Sequence, residues 1–241
     1  MFKKWLSFSL LLTTFSYGFI KVDPPVIGEN KGLIGEVSMG AKYSSGNTDS
    51  NSVGAAAKGE YNEKEWLAYL IASYAYGKSN DVKDTNNGLM HFRYVHNIAN
   101  TAYDYEGFLQ SESNDFQGIK KRNLVGANIL KKLDLSFDKL FVGVGLFYSY
   151  MEPDSISSLD PIYRRTRMNS YVSFLKKINQ NFSITYLGYY QPHVEDFSDF
   201  RISQIAQFNT SITDDLMLGL DIHHEYNATP YHDIEKNDIR A

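Results

Sequence analysis

Asp221, His223 and Glu225 place three ionisable side chains at alternate positions of one short segment. Two carboxylates flanking an imidazole can ligate zinc or activate water for hydrolysis. Asp104, Glu106 and Glu112 make a second acidic row, and paired carboxylates could likewise serve hydrolysis. Both rows also serve a plainer purpose, as countercharge for Arg93, Arg165, Arg167 and Arg201. Spacing favours the plainer purpose: there is no HExxH helix, no G-x-S-x-G elbow and no glycine-rich phosphate loop after a strand. Glu152, Asp154 and Asp160 could offer oxygens to calcium, but their spacing matches no EF-hand loop. No catalytic, cofactor-binding or metal-ligating residue is therefore assigned. Arg93, Asp104, Glu106, Arg165, Arg167, Arg201, Asp221, His223 and Glu225 are instead expected to line an interior.

That interior needs strands. Successive side chains of a strand point to opposite faces, and the charged residues keep this period. Met168, Val172 and Phe174 oppose Arg165, Arg167, Asn169 and Ser173. Met90, Phe92 and Tyr94 oppose His91 and Arg93; Leu216, Leu218, Leu220 and Ile222 oppose Asp221, His223 and Glu225. Tyr103, Tyr105 and Leu109 oppose Asp104, Glu106, Gln110 and Glu112, and Val53, Ala55, Ala57 and Tyr61 oppose Lys58 and Glu60. From Lys139 to Tyr150 a continuous apolar face backs onto one holding Gly143, Gly145 and Ser149. Such a split suits lipid outside and water inside, or one solvated face of an antiparallel sheet.

The connectors sort by length. Short ones centre on Glu63, Ala99, Asp134, Asn179 and Asp214, whereas long polar ones occupy Gly77–Asn86, Glu152–Asp160, Gln191–Ser198 and Asn227–Asn237. One rim of tight turns and one of longer loops is expected of an up-and-down barrel in an outer membrane, with the long rim outside. Eleven strands are read between residues 33 and 227, and a twelfth begins near Lys236; with the sequence ending at Ala241, most of that final strand is expected to be missing. Aromatic residues at strand ends, among them Tyr43, Tyr61, Trp66, Tyr103 and Tyr190, would form interfacial girdles.

The remaining features agree with that compartment. Lys3 and Lys4 precede an apolar run from Trp5 to Phe15, and Ser16-Tyr17-Gly18 offers small residues for cleavage, so residues 1–18 read as a secretory signal. Residues 19–32, with Pro24-Pro25, read as a periplasmic leader, and 33–241 as the barrel. The run is shorter than the ~20 residues a spanning helix needs. A mean hydropathy of −0.36 is too polar for a helical membrane protein and ordinary for a half-apolar barrel. There is no cysteine, hence no disulfide framework, and a net charge of −4 with dispersed signs argues against nucleic acid as partner.

Gly35-Glu36-Val37-Ser38-Met39-Gly40, followed by Tyr43-Ser44-Ser45-Gly46-Asn47-Thr48-Asp49-Ser50, resembles the opening of the DUF481 family, described as salt-induced outer-membrane protein candidates. Tyr226-Asn227-Ala228-Thr229-Pro230-Tyr231 with Lys236-Asn237-Asp238 is similar to the family before its last strand. The resemblance implies an outer-membrane β-barrel and carries no established activity. The expected function is structural or small-solute-interacting, with a narrow charged lumen and no cofactor. Expected partners are outer-membrane lipid, small solutes or ions, and the barrel-assembly machinery for insertion. A narrow pore, a rim-sited hydrolase and a soluble periplasmic barrel binding an apolar ligand are the alternatives.

Overall fold

A computed structural model describes residues 26–29, 31–46, 49–154, 160–213 and 216–240, so the expected signal (1–18) lies outside the described residues. Alternation of the two faces carries through twelve strands: β1 (Gly32–Ser44), β2 (Ser50–Asn62), β3 (Trp66–Ser79), β4 (Val82–Asn97), β5 (Tyr103–Asn114), β6 (Ile119–Lys132), β7 (Lys139–Pro153), β8 (Tyr163–Lys177), β9 (Phe182–Pro192), β10 (Phe200–Ser211), β11 (Met217–Asn227) and β12 (Asn237–Arg240). They form one sheet in chain order, each strand antiparallel to the next. Among the described residues the sheet is open, with β1 paired to β2 alone and β12 to β11 alone. β12 is short and pairs only from Tyr226↔Asn237 to His223↔Arg240.

One expected long loop is a hairpin. Gly77–Asn86 belongs to β3 and β4, which are joined by Asn80-Asp81 alone. Both residues have positive φ, +49° and +62°, the conformation a two-residue type I′ turn requires. Polar residues here extend the strands past the apolar band, where both faces can be wet, so polarity does not mark a loop. The β1–β2 and β5–β6 connectors, 45–49 and 115–118, are short as well. Only 154–162, 193–199 and 228–236 are long, all on the rim opposite the turns at 63–65, 98–102, 133–138, 178–181 and 212–216. The register shifts at Gly77/Lys78, Glu112/Asn114 and Ile119/Lys121 cluster on that same rim.

The two faces differ sharply. Val37, Met39, Val53, Val144 and Leu218 are exposed, whereas Glu106, Asn128, Arg167 and Asn169 are buried. Aromatic residues line the outer face near the tight turns, where the rings of Tyr61, Trp66, Tyr94 and Tyr105 follow one another at 5.5, 5.7 and 6.3 Å. Toward the other rim Tyr190, Phe200 and Tyr226 do the same at 5.7 and 5.4 Å. On the inner face Gly143 lies beneath the Tyr171 ring of the neighbouring strand, so any Cβ there would overlap it. Gly145 is equally constrained, by the Ala127 carbonyl and Asn128. Inward glycines on β7 thus make room for the aromatic and amide groups beside them.

Candidate functional site

The interior is built in layers. Nearest the tight turns, Leu67, Tyr69, Val95, Leu130, Phe141, Tyr171 and Leu187 form an apolar cluster on which Val26 and Ile27 pack. Asn62 fastens this leader: its Oδ1 accepts from the Gly28 amide at 2.8 Å and its Nδ2 donates to the Val26 carbonyl at 2.9 Å. Lys139 adds an ion pair to Glu29 at 2.6 Å.

A charged layer follows. The Glu106 side chain, 1% exposed, faces Arg93 Nη1 at 3.4 Å. It also accepts from Tyr171 Oη at 3.1 Å and from Asn128 Nδ2. Arg93 Nη2 donates to Tyr189 Oη at 2.9 Å, and its guanidinium sits over the rings of Tyr69 and Tyr171. Asn169 links onward, donating to Asn128 Oδ1 at 3.2 Å and accepting from Gln191 Nε2 at 2.9 Å. A buried ionic group is tolerable only when partners meet it; Glu106 and Arg93 meet each other, and of the guanidinium only Nε is buried without a hydrogen bond.

Arginine dominates the layer nearest the longer loops. Asp199 pairs with Arg165 and Arg167, each at 2.7 Å, and accepts from Thr229 Oγ1 at 2.7 Å. Arg167 Nη1 donates further to the Gln191 and Asp199 carbonyls, both at 3.0 Å. Glu112 holds Arg122 at 2.8 Å, and Glu225 accepts from Gln117 Nε2 at 3.0 Å. Among the described residues, Arg201 Nη2 reaches only Met151 Sδ, at 3.1 Å. Burial favours the neutral form of Asp199, but hydrogen bonds from Thr229 and Arg167 and the charges of Arg167 and Arg165 outweigh it. The carboxyl is held below its usual range.

The connector 228–236 folds over this layer. Tyr231 is buried with Ile119 and Met151, stacks on Tyr163 at 5.3 Å and donates to the Met151 carbonyl at 3.1 Å. Burial, then the neighbouring Tyr163, raises the Tyr231 pKa above its ordinary value, so the hydroxyl stays a donor. Beneath it lies a cavity of about 1200 Å³, lined from Val26 and Ile27 at one end to Tyr231 and Ile234 at the other. Arg93, Asp104, Glu106, Arg201, His223 and Glu225 face it, while Arg165, Arg167 and Asp221 do not.

The expected site residues are therefore not one constellation. Arg93 meets Glu106, whereas Arg165 and Arg167 take Asp199 and not the β5 acidic row as countercharge. Asp104 accepts from Asn97 Nδ2 at 2.8 Å, and Asp221 from Gln207 Nε2 at 3.3 Å. Asp221, His223 and Glu225 do not converge, and no group of three or more potential metal ligands occurs among the described residues. Sequence reasoning passed over Asp199, Arg122, Asn128 and Asn169 as a network. Parity places all four inward, since Asp199 precedes Arg201 by two positions, Arg122 shares a face with Leu124, Asn128 and Leu130, and Asn169 falls with Arg165 and Arg167; it does not say that they meet.

Sheet and interior together define an all-β, up-and-down antiparallel protein with a charged core inside an apolar outer face. Residues 37–241 match the family model described as "Protein of unknown function, DUF481", and the chain belongs to that family. No curated protein and no solved structure is detectably similar to it.

Proposed function

We propose that this chain is an integral outer-membrane β-barrel whose narrow, charged interior interacts with a small solute and does not form a wide pore. One observation carries the reading: polarity is inverted relative to a water-soluble sheet. Val37 is 73% exposed and Met39 83%, while Glu106 and Arg167 are each 2% exposed. Soluble monomers rarely expose contiguous apolar patches beyond a few hundred Å², yet here an apolar outer face continues from strand to strand. Lipid is the solvent that stabilises it, and the aromatic residues near both rims suit the membrane interfaces. In this reading β1 closes the barrel against the final strand, and residues 1–18 are the secretory signal. Insertion then falls to the barrel-assembly machinery.

Membrane fractionation and gel migration test it. The folded chain should remain with outer-membrane lipid and run differently before and after boiling. Recovery in the aqueous periplasmic fraction without heat-modifiable migration would remove the barrel. Because the cavity runs from Val26 to Tyr231, slow passage of small solutes is the second reading, and bilayer conductance separates the two.

A further inference from the structure

Ion pairs in the upper interior do not reach every arginine. Arg122, Arg165, Arg167 and Arg201 turn inward near Glu112, Asp199 and Glu225, and Asp84, Asp233, Glu235 and Asp238 also line the cavity. Each of the first three carboxylates is already engaged: Glu112 with Arg122 and Gln110, Asp199 with Arg165, Arg167 and Thr229, Glu225 with Gln117. Arg201 is the arginine left over. It lines the cavity, has no carboxylate within 4.0 Å among the described residues, and uses a thioether sulfur, a weak acceptor, for its one hydrogen bond. Arg122 lines the same cavity, and its Nε is buried without a partner.

A guanidinium presents five donors in a planar fork that matches carboxylate and phosphate oxygens. In a confined interior, screening is weaker than at an open surface, so a cation without a contact partner attracts an anion more strongly there. We infer that Arg201, with Arg122 beside it, is the binding site for the oxyanion group of a small solute, a carboxylate or a phosphate, held beneath the 228–236 connector. This inference rests on the proposal that the interior admits a solute. It adds the chemical class of that solute and the residue that selects it. Glu225, on the neighbouring strand, limits the affinity by its own negative charge, which favours reversible over permanent occupancy.

Calorimetric titration of the full chain, refolded in an uncharged detergent, tests the site with inorganic phosphate and succinate against sodium chloride at equal ionic strength. Saturable heat is expected with at least one oxyanion and not with chloride, and the two probes separate phosphate from carboxylate. Arg201→Gln should weaken that binding roughly tenfold, the effect of one lost charge-assisted partner. Glu225→Gln should tighten it by about threefold, as one nearby negative charge is removed. Oxyanions indistinguishable from chloride would overturn the inference, as would unchanged affinity in a cooperatively melting Arg201→Gln. Should Arg201→Gln fail to fold, Glu225→Gln decides, and unaltered affinity there also overturns it. The barrel is judged separately in the same micelles: heat-modifiable migration without oxyanion binding sinks only this site, and binding without that migration sinks only the membrane reading.

Discussion

Arg93 of β4 and Tyr189 of β9, 96 residues apart in the chain, meet across the interior at 2.9 Å. In the barrel proposed above, a bridge of this kind obstructs the bore at the level of the Glu106 network. Planar bilayers should therefore show only small, brief current steps from the reconstituted chain. Arg93→Ala combined with Tyr189→Phe should enlarge them. Long-lived steps of the size given by a barrel of about sixteen strands would contradict a narrow interior.

Glu106 is the acid on which that layer depends. Truncating it strands the Arg93 charge in a buried setting, a change that typically costs about 3–5 kcal/mol. Urea unfolding in detergent should show this loss for Glu106→Ala. Pairing it with Arg93→Met, which removes the orphaned charge, should return a large part of the stability. Strict additivity of the two single changes would mean that the pair at 3.4 Å is uncoupled.

Charge tolerance should differ between the faces. Val144 is 53% exposed on the outer face, and Val144→Arg should cost roughly 2–4 kcal/mol if that face meets the bilayer midplane. Gln110→Lys, on the inner face beside Glu112, should cost much less. Refolding into lipid vesicles measures both, and equal penalties would argue against lipid around this sheet. Gly145 cannot serve as the inner control, because even a methyl group there would overlap the Ala127 carbonyl.

Acid should release the 228–236 connector. The folded-state pKa of Asp199 is depressed, so its stabilising contribution is present above the ordinary aspartate value of about 3.9 and is lost as pH falls through the lower folded value. Protonation ends the ion pairs to Arg165 and Arg167 and weakens the bond that Asp199 accepts from Thr229. Protease access within 228–236 should rise below roughly pH 4. In Asp199→Asn the connector should be equally accessible at neutral and acid pH. A connector protected at pH 7 in that variant would show that Asp199 is not what fastens it.

Strand parity was legible in the sequence because burial enforces it: an arginine such as Arg167 cannot share a face with Met168 when one side is apolar. Arg93, Glu106 and Arg201 were placed inward on that ground. Which residues they meet was not legible, because a contact such as Tyr171 to Glu106 depends on how the sheet curls and not on any local spacing. The hairpin at Asn80-Asp81 was hidden for another reason. Its flanks are polar on both faces, which cancels the alternation by which strands are recognised. Asp199 escaped notice because it stands one residue before β10, where a connector residue turns inward to serve two arginines.

The strictly sequential strand order has a consequence for how the molecule comes into being. Among the described residues every ladder joins a strand to its immediate successor, so the sheet can grow hairpin by hairpin with little loop-closure entropy at each step. The bonds from Arg93 to Tyr189 and from Tyr171 to Glu106 cannot form until distant hairpins have swung round to face each other. Sheet growth is thus a local, early process, and assembly of the charged interior a late and global one. Substitutions at Glu106 should accordingly leave the rate of strand addition almost untouched and instead hasten unfolding, the kinetic signature of contacts absent from the transition state.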